Sequence, residues 1–515
     1  MRIAQGLGLI WLTIAGAAVA QERGPLSAID WLSESVTPAP PASPTSTAPV
    51  TGGVTPEITV QSLDAPSPDI VGLLPSDVTG LPTSLWSQSP ESDALAALRA
   101  TPAPSLPALQ ELLVQLMLAE AAPPSGAAAT GNLFLARVDK LLEMGALDQA
   151  QSLIEASDVA RPEVFRRWFD ASLLTGTEDF ACTKLNEMPA IAPTLSTHVF
   201  CLARAGDWPA AALVLNNALS LGAVNADEQA LLVHFLDPEM DDGDSILPEP
   251  TTLTPLEFRM REAVGEAIPT ATLPRAFANA DLRSMVAWRS QIEAAERLAR
   301  GGALSENALV GFYTAHIPAA SGGIWDRARA VQDFERALAT GAETALDALP
   351  ALYDGAKAAR VEVPLARFYA EALVQPDFAR SGNAAALEMG LLSPDYESVA
   401  ALQRPANANS REALLIAVAR GQVTEGTPVG GWAGNPFVGP VINGFTLDDT
   451  PNAAADLINA GKLGEGLLKA ITGAEAALTG DPAALAPALA ALRLVGLEDV
   501  ARRIALQVLL LDRTG

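Results

Sequence analysis

Apolar and polar positions alternate most regularly between Leu133 and Leu219. Three phrases there share one layout: Gly145-Ala-Leu-Asp-Gln-Ala150, Gly176-Thr-Glu-Asp-Phe-Ala181 and Gly206-Asp-Trp-Pro-Ala-Ala211. Each sets an alanine five residues after a glycine. An aliphatic residue follows four positions later: Ile154, Leu185 and Leu215. A spacing of four puts the alanine and the aliphatic residue on one helical face. The glycines are 31 and then 30 residues apart, a period that predicts stacked helical hairpins. Each glycine is expected to end a helix in the left-handed conformation. Asp148, Glu178, Asp179 and Asp207 then fall near the start of the next helix, where its dipole favours negative charge. The alanine is small where two helices approach closely.

The same helical pattern extends from Asp93 to the end of the chain, with three interruptions. Leu106 to Ala119 reads as a strongly apolar helix, and Ala121 to Gly131 as a flexible break. Asp237 to Pro250 is an acidic loop. Leu273 to Arg300 reads as one long amphipathic helix with Leu282, Val286, Ile292 and Leu298 on one side. Pro318 to Arg327 reads as a loop entering a helix at Val331 to Ala339. Thr427 to Thr450 holds too much Gly and Pro for a helix, and a loop of that length is often functional. Gly461 and Gly496 mark turns in a closing helical region. The division predicted is a leader at 1–20, an arm at 21–92, helical repeats at 93–236 and the acidic loop at 237–252. A central helical region at 253–426, the Gly/Pro-rich loop at 427–450 and C-terminal hairpins at 451–515 complete it.

The repeat block resembles the tetratricopeptide-repeat superfamily. Gly145/Ala150/Ile154, Gly176/Ala181/Leu185 and Gly206/Ala211/Leu215 match that family's turn glycine, small alanine and large apolar residue one helical turn on. The period is shorter than the family's, and its Trp and Leu-Gly pattern is missing from the first helices. The likeness is to a divergent relative and covers about a sixth of the chain. It implies an α-solenoid whose groove takes an extended peptide or a helix.

Composition agrees with an all-α fold. Of the 515 residues 49% are apolar and only 5% aromatic, so the apolar content is mostly Ala and Leu, the strongest helix formers. The formal charge of −27 repels phosphate backbones and anionic lipid, so no nucleic-acid partner is expected. Arg2, the apolar run from Leu7 to Ala20 and the small-x-small site Ala18-Val19-Ala20 have the layout of a secretory signal. The run is short for a membrane span, and no transmembrane segment is expected in the mature chain. The expected location is the periplasm or outside the cell.

Cys182 and Cys201 fall in consecutive helices either side of a hairpin connection, so a disulfide is expected in that oxidising compartment. The arm carries eleven prolines between Pro38 and Pro90 and no Lys or Arg between Arg23 and Arg99, the composition of a disordered linker. Two apolar pieces stand out in it, Ile29-Asp30-Trp31-Leu32 and the stretch from Ile58 to Trp86. They suit docking, either on this protein's own helices or in a partner's groove. Ala-Ala-Ala-Thr130 and the Ala/Pro/Thr-rich linker resemble antifreeze glycopeptides in composition, but the long Ala-Ala-Thr arrays of that class are missing.

Catalytic signatures are not found: no G-x-S-x-G, no Walker loop, no H-E-x-x-H and no G-x-G-x-x-G. With Gly243 at the sixth position of a calcium loop, Pro238 and Met240 would fall on ligand positions, so no calcium loop is expected. Glu397-Ser398 and Glu91-Ser92 lack the Gly-rich segment that follows the catalytic Glu-Ser of lytic transglycosylases. No metal and no cofactor is expected. The candidate binding residues are His316, Trp325, Asp326 and Arg327 beside one Gly-rich loop and Trp432 and Phe437 in the other. The expected function is an exported, non-catalytic scaffold binding a protein or peptide of the cell envelope. The alternative is an envelope enzyme or glycan-binding module using loops 316–327 and 430–440.

Overall fold

Ala- and Leu-rich sequence becomes helix over most of the described residues. The computed structural model describes residues 67–128, 130–237, 247, 249–250, 252–403, 411–432, 434–446 and 452–511. Among the described residues there is no β-strand, only the isolated bridges Leu74–Ala119 and Pro90–Ser125. The leader, the Ile29–Leu32 cluster and most of the acidic loop lie outside the described residues.

The repeat block forms helix–turn–helix pairs. Asn132–Met144 is followed by Leu147–Glu155, Pro162–Thr175 by Glu178–Glu187, and Leu195–Arg204 by Trp208–Leu221. Gly145, Gly176 and Gly206 sit at the turns with φ of 80°, 80° and 82°, a conformation that costs glycine nothing sterically. At Gly145 two reverse bonds close the helix end: Gly145 N–H to Leu142 O (3.0 Å) and Ala146 N–H to Leu141 O (2.9 Å). Ala150, Ala181, Ala211, Ile154, Leu185 and Leu215 are all buried. Each helix of the block packs on the next. Cys182 and Cys201 are joined as a disulfide with Cα atoms 4.9 Å apart, linking the Glu178–Glu187 and Leu195–Arg204 helices.

Two apolar cores result. The smaller one lies within residues 165–260 and the larger one runs from Leu81 to Leu511. The Pro162–Thr175 helix serves both. Val164, Ala171 and Leu174 face the larger core, and Phe165, Phe169 and Leu173 face the smaller.

The arm is not a linker over its whole length. From Ser67 it is laid onto the helical body, and Leu81, Leu85 and Trp86 are buried. Arg137 explains the first part of that path. Its guanidinium is fully buried and donates to Met117 O (2.7 Å), Val71 O (2.8 Å), Ala119 O (2.9 Å) and Asp69 O (3.3 Å). The Asp69 carboxylate accepts the Phe134 N–H at 2.7 Å. Burial lowers the Arg137 pKa to about 10, with Asp69 opposing, so the group stays charged at neutral pH. Trp86 fixes the second part: Gly464 packs under it so closely that a Cβ there would stand 2.3 Å from the ring. The Gly464 N–H also donates to Leu85 O at 3.0 Å. The half-buried Val71, Leu73 and Leu74 and the buried Leu81, Leu85 and Trp86 therefore dock on this chain's own helices, while Ile70 and Val78 stay exposed.

Three local readings are corrected. Leu273–Arg300 is not one helix. Arg275–Leu282 is a 3-10 helix and Trp288–Arg300 is the α-helix, with Arg275 pressed against Gly145 and Gly301. The Gly/Pro-rich stretch contains a helix, Val438–Thr446. Pro440 occupies its first turn, where no N–H bond is lost, and Gly444 admits Leu489, which would lie 2.8 Å from a Cβ. Finally, Trp325, Asp326 and Arg327 are helical, because the helix after the Gly322-Gly323 turn starts at Ile324.

Replacing Arg137 by Met strands four buried carbonyls, each worth about 1–3 kcal/mol when unsatisfied. Arg137→Met is expected to cost at least about 3 kcal/mol in urea denaturation and to open residues 67–90 to limited proteolysis. A midpoint shift without new cleavage there would separate the guanidinium from the arm. The disulfide is expected to contribute ~3 kcal/mol. Reductant should lower the denaturation midpoint of the parent protein and leave that of a Cys182→Ser/Cys201→Ser variant unchanged.

Candidate functional site

The second helices of the first two pairs enclose a groove of about 630 Å³. Asp148, Gln151 and Glu155 come from one wall, Phe180, Lys184 and Glu187 from the other, with Trp168 at its edge. The Phe180 ring is 72% exposed, an unusual placement for a large apolar side chain that has a core beside it. It is one residue before the buried Ala181 and so lies well round the helix from the seam. Trp168 is half-buried and donates its indole N–H to Glu155 Oε1 at 3.2 Å. Three carboxylates face one ammonium on the rim, and Lys184 reaches Glu187 at 4.0 Å.

Behind the groove runs a row of rings. Trp168 meets Phe165 (6.1 Å), then Phe169 (6.1 Å), Phe200 (6.2 Å) and Phe235 (5.7 Å) follow, and Trp208 closes it at 6.3 Å. These rings come from successive repeats and make the wall stiff. Trp168 and Phe180 were not singled out from the sequence. An aromatic residue just before the phrase's alanine, where the other two phrases have Gln149 and Ala210, was the signal available.

The residues proposed from the sequence are placed elsewhere. His316 and Trp325 come together on Trp288, with ring centroids at 5.3 and 5.1 Å. Trp288 is held by its indole N–H on Phe312 O at 2.7 Å. Arg327 forks onto the buried Glu296 (2.7 and 2.8 Å), which also accepts the Tyr313 hydroxyl at 2.8 Å. Asp326 accepts the Gly322 N–H at 3.0 Å and so shapes its own turn. Trp432 and Phe437 are buried. The Trp432 indole N–H binds Arg411 O at 2.8 Å, and the Arg411 guanidinium lies 4.4 Å above its ring. The helix after the first loop packs on the Glu306–Thr314 and Ala342–Ala359 helices. The Val438–Thr446 helix packs on Leu485–Leu494. His198 and His234 lie on helices of the repeat block. Among the described residues no group of three or more His, Cys, Asp or Glu side chains is placed to hold a metal ion. No described helix is long and apolar enough to cross a membrane.

A partly buried charge cluster lies on the first helices of the same two pairs. Arg167 forks onto Asp139 at 2.5 and 2.7 Å, joining the first helices of two repeats. Arg166 stands 3.9 Å from Asp170. Burial pushes the Asp170 carboxyl up to about 7, against the pull of Arg166 and Arg167, and Asp139 adds to the rise.

No protein-family model, no curated protein and no solved structure matches this chain.

The Asp170 shift has a testable sign. An unfolded aspartate ionises near 3.9, so between about pH 4 and pH 7 the folded chain holds a proton that the unfolded chain has released. Stability from this group therefore falls as pH rises through that window. Asp170→Asn removes the effect. The melting-temperature difference, variant minus parent, is expected to rise from pH 4 to pH 8 by the equivalent of a few kcal/mol. A difference that stays flat with pH would assign the cluster's charge to another group.

Proposed function

We propose that this chain is an exported, non-catalytic binding scaffold, a divergent relative of the tetratricopeptide-repeat proteins. On this reading the groove between its first two repeats receives a protein or peptide segment. The repeat period and its left-handed glycine turns support the relationship. The disulfide supports an oxidising compartment. The observation that carries the binding reading is Phe180, a large apolar side chain exposed in a groove with Trp168 beside it and carboxylates on the rim.

The groove's chemistry defines its occupant. An apolar side chain laid between Phe180 and Trp168 removes about 1.5–3 kcal/mol worth of apolar surface from water. Asp148, Glu155 and Glu187 outnumber Lys184, so flanking Lys or Arg side chains are attracted and acidic ones repelled. The partner is a segment with one large apolar anchor flanked by basic residues.

Selection from a displayed library of short random peptides tests this. Enriched sequences are expected to carry that pattern. They should lose at least about tenfold in affinity, 1.4 kcal/mol, on the variant Phe180→Ser, with no change in its melting temperature. Enriched peptides without the pattern, or peptides that bind the parent and Phe180→Ser equally, would overturn the reading.

A further inference from the structure

A second cavity, of about 290 Å³, lies where five helices and a loop meet, most of them well apart in sequence from the groove. Glu111 comes from the Pro107–Leu118 helix, Glu306 begins Glu306–Thr314, and Arg367 is near the end of Glu362–Phe368. Asp499, Arg503 and Gln507 line up along Glu498–Leu510.

Part of this wall is an ion network. Glu111 Oε2 accepts from both Arg367 Nη2 and Arg503 Nη1, the latter at 2.5 Å. Arg503 also reaches Asp499 Oδ2 with Nε at 2.9 Å and Nη2 at 2.8 Å. Glu111 thus holds two guanidinium groups side by side. Burial alone would raise its carboxyl, but the two guanidiniums outweigh that and hold it below the usual range.

The network leaves three groups over. Gln507 is 2% exposed, and its carboxamide oxygen accepts the Ala108 N–H at 2.9 Å. That bond fixes which way the amide is turned and leaves its NH₂ donors without a protein partner among the described residues. Arg367 uses one Nη2 donor on Glu111 and keeps the remainder of its fork. Glu306 makes no ion pair among the described residues. Gln507 lines the cavity, so a ligand acceptor can reach its NH₂ donors.

We propose that this cavity binds a small basic amino acid of the L-lysine type. Its carboxylate takes the donors of Gln507 and the free edge of Arg367, as guanidinium and carboxylate pair in a fork. Its ammonium groups face Glu306 and Asp499; the Asp499 carboxylate already accepts from Arg503 and, at 2.9 Å, from the Tyr396 hydroxyl, and keeps lone pairs for a further donor. Three lining carboxylates against two guanidiniums leave one negative charge, which matches the single net positive charge of the ligand. The volume is at the lower limit for small-molecule sites and suits a metabolite rather than a larger ligand.

Titration calorimetry on the whole chain with L-lysine tests the assignment. Saturable binding is expected with a Kd below about 1 mM. Cadaverine, which keeps both amines and lacks the carboxylate, and hexanoate, which lacks the amines, should each bind at least about tenfold more weakly. Glu306→Gln should weaken L-lysine by at least about tenfold with an unchanged melting temperature. No saturable heat with L-lysine up to about 10 mM would overturn the proposal. So would cadaverine binding as tightly as L-lysine, or Glu306→Gln binding as tightly as the parent.

Discussion

The buried guanidinium of Arg137 is the constraint on which the rest of the structure depends. It binds carbonyls from residues 69 and 71 and from residues 117 and 119 at once. The first two lie in and just after a short 3-10 turn and the second two at the end of the Pro107–Leu118 helix, where carbonyls have no partner within the helix. A buried charge is tolerated when it is well hydrogen-bonded, and here one helical side chain meets the acceptors of both segments. The helix that carries Arg137 is also the first helix of the repeat block. The arm, the Pro107–Leu118 helix and the repeats are therefore positioned from a single point.

The two ends of the described chain are brought together by a different kind of contact. Trp86 needs a flat, close surface, and Gly464 supplies one because it has no Cβ. Polar bonds follow the same seam: Glu475 Oε2 accepts the Ser105 N–H and hydroxyl at 3.0 Å, and Lys462 meets Asp93 at 3.1 Å. The larger core consequently contains residues from Leu81 to Leu511, and the helices Glu91–Ala100 and Leu463–Leu478 lie against one another. The cavity at Glu111 and Arg503 exists only because of that closure.

The groove follows from the repeats themselves. Small alanines let the paired helices approach, which turns the outer faces of Leu147–Glu155 and Glu178–Glu187 toward a common space. The aromatic row from Trp168 to Trp208 stiffens the layer behind it, and the disulfide ties the next pair to the same layer. The Asp139–Arg167 fork joins the first helices of the first two pairs. Packing, covalent linkage and charge all act on this one block and stiffen it.

Local rules were enough to read several features from the sequence. The helical class, the three glycine turns, the buried alanines behind them and the disulfide partners each depend on neighbours within about one helical hairpin, where periodicity and cap chemistry decide the outcome. Trp325, Trp432 and Phe437 stand in or beside Gly-rich stretches; the fold buries Trp432 and Phe437 and packs Trp325 on Trp288. Aromatic side chains bury wherever a neighbouring helix offers area, and the sequence does not say which helix arrives. The helix at Val438–Thr446 forms against its Gly and Pro content because Leu489 needs Gly444 beneath it. Composition and spacing alone determined that the chain is helical, acidic and periodic. Tertiary structure decided where the arm lies, which aromatic stays exposed and which charges converge, because each depends on contacts between residues tens to hundreds of positions apart.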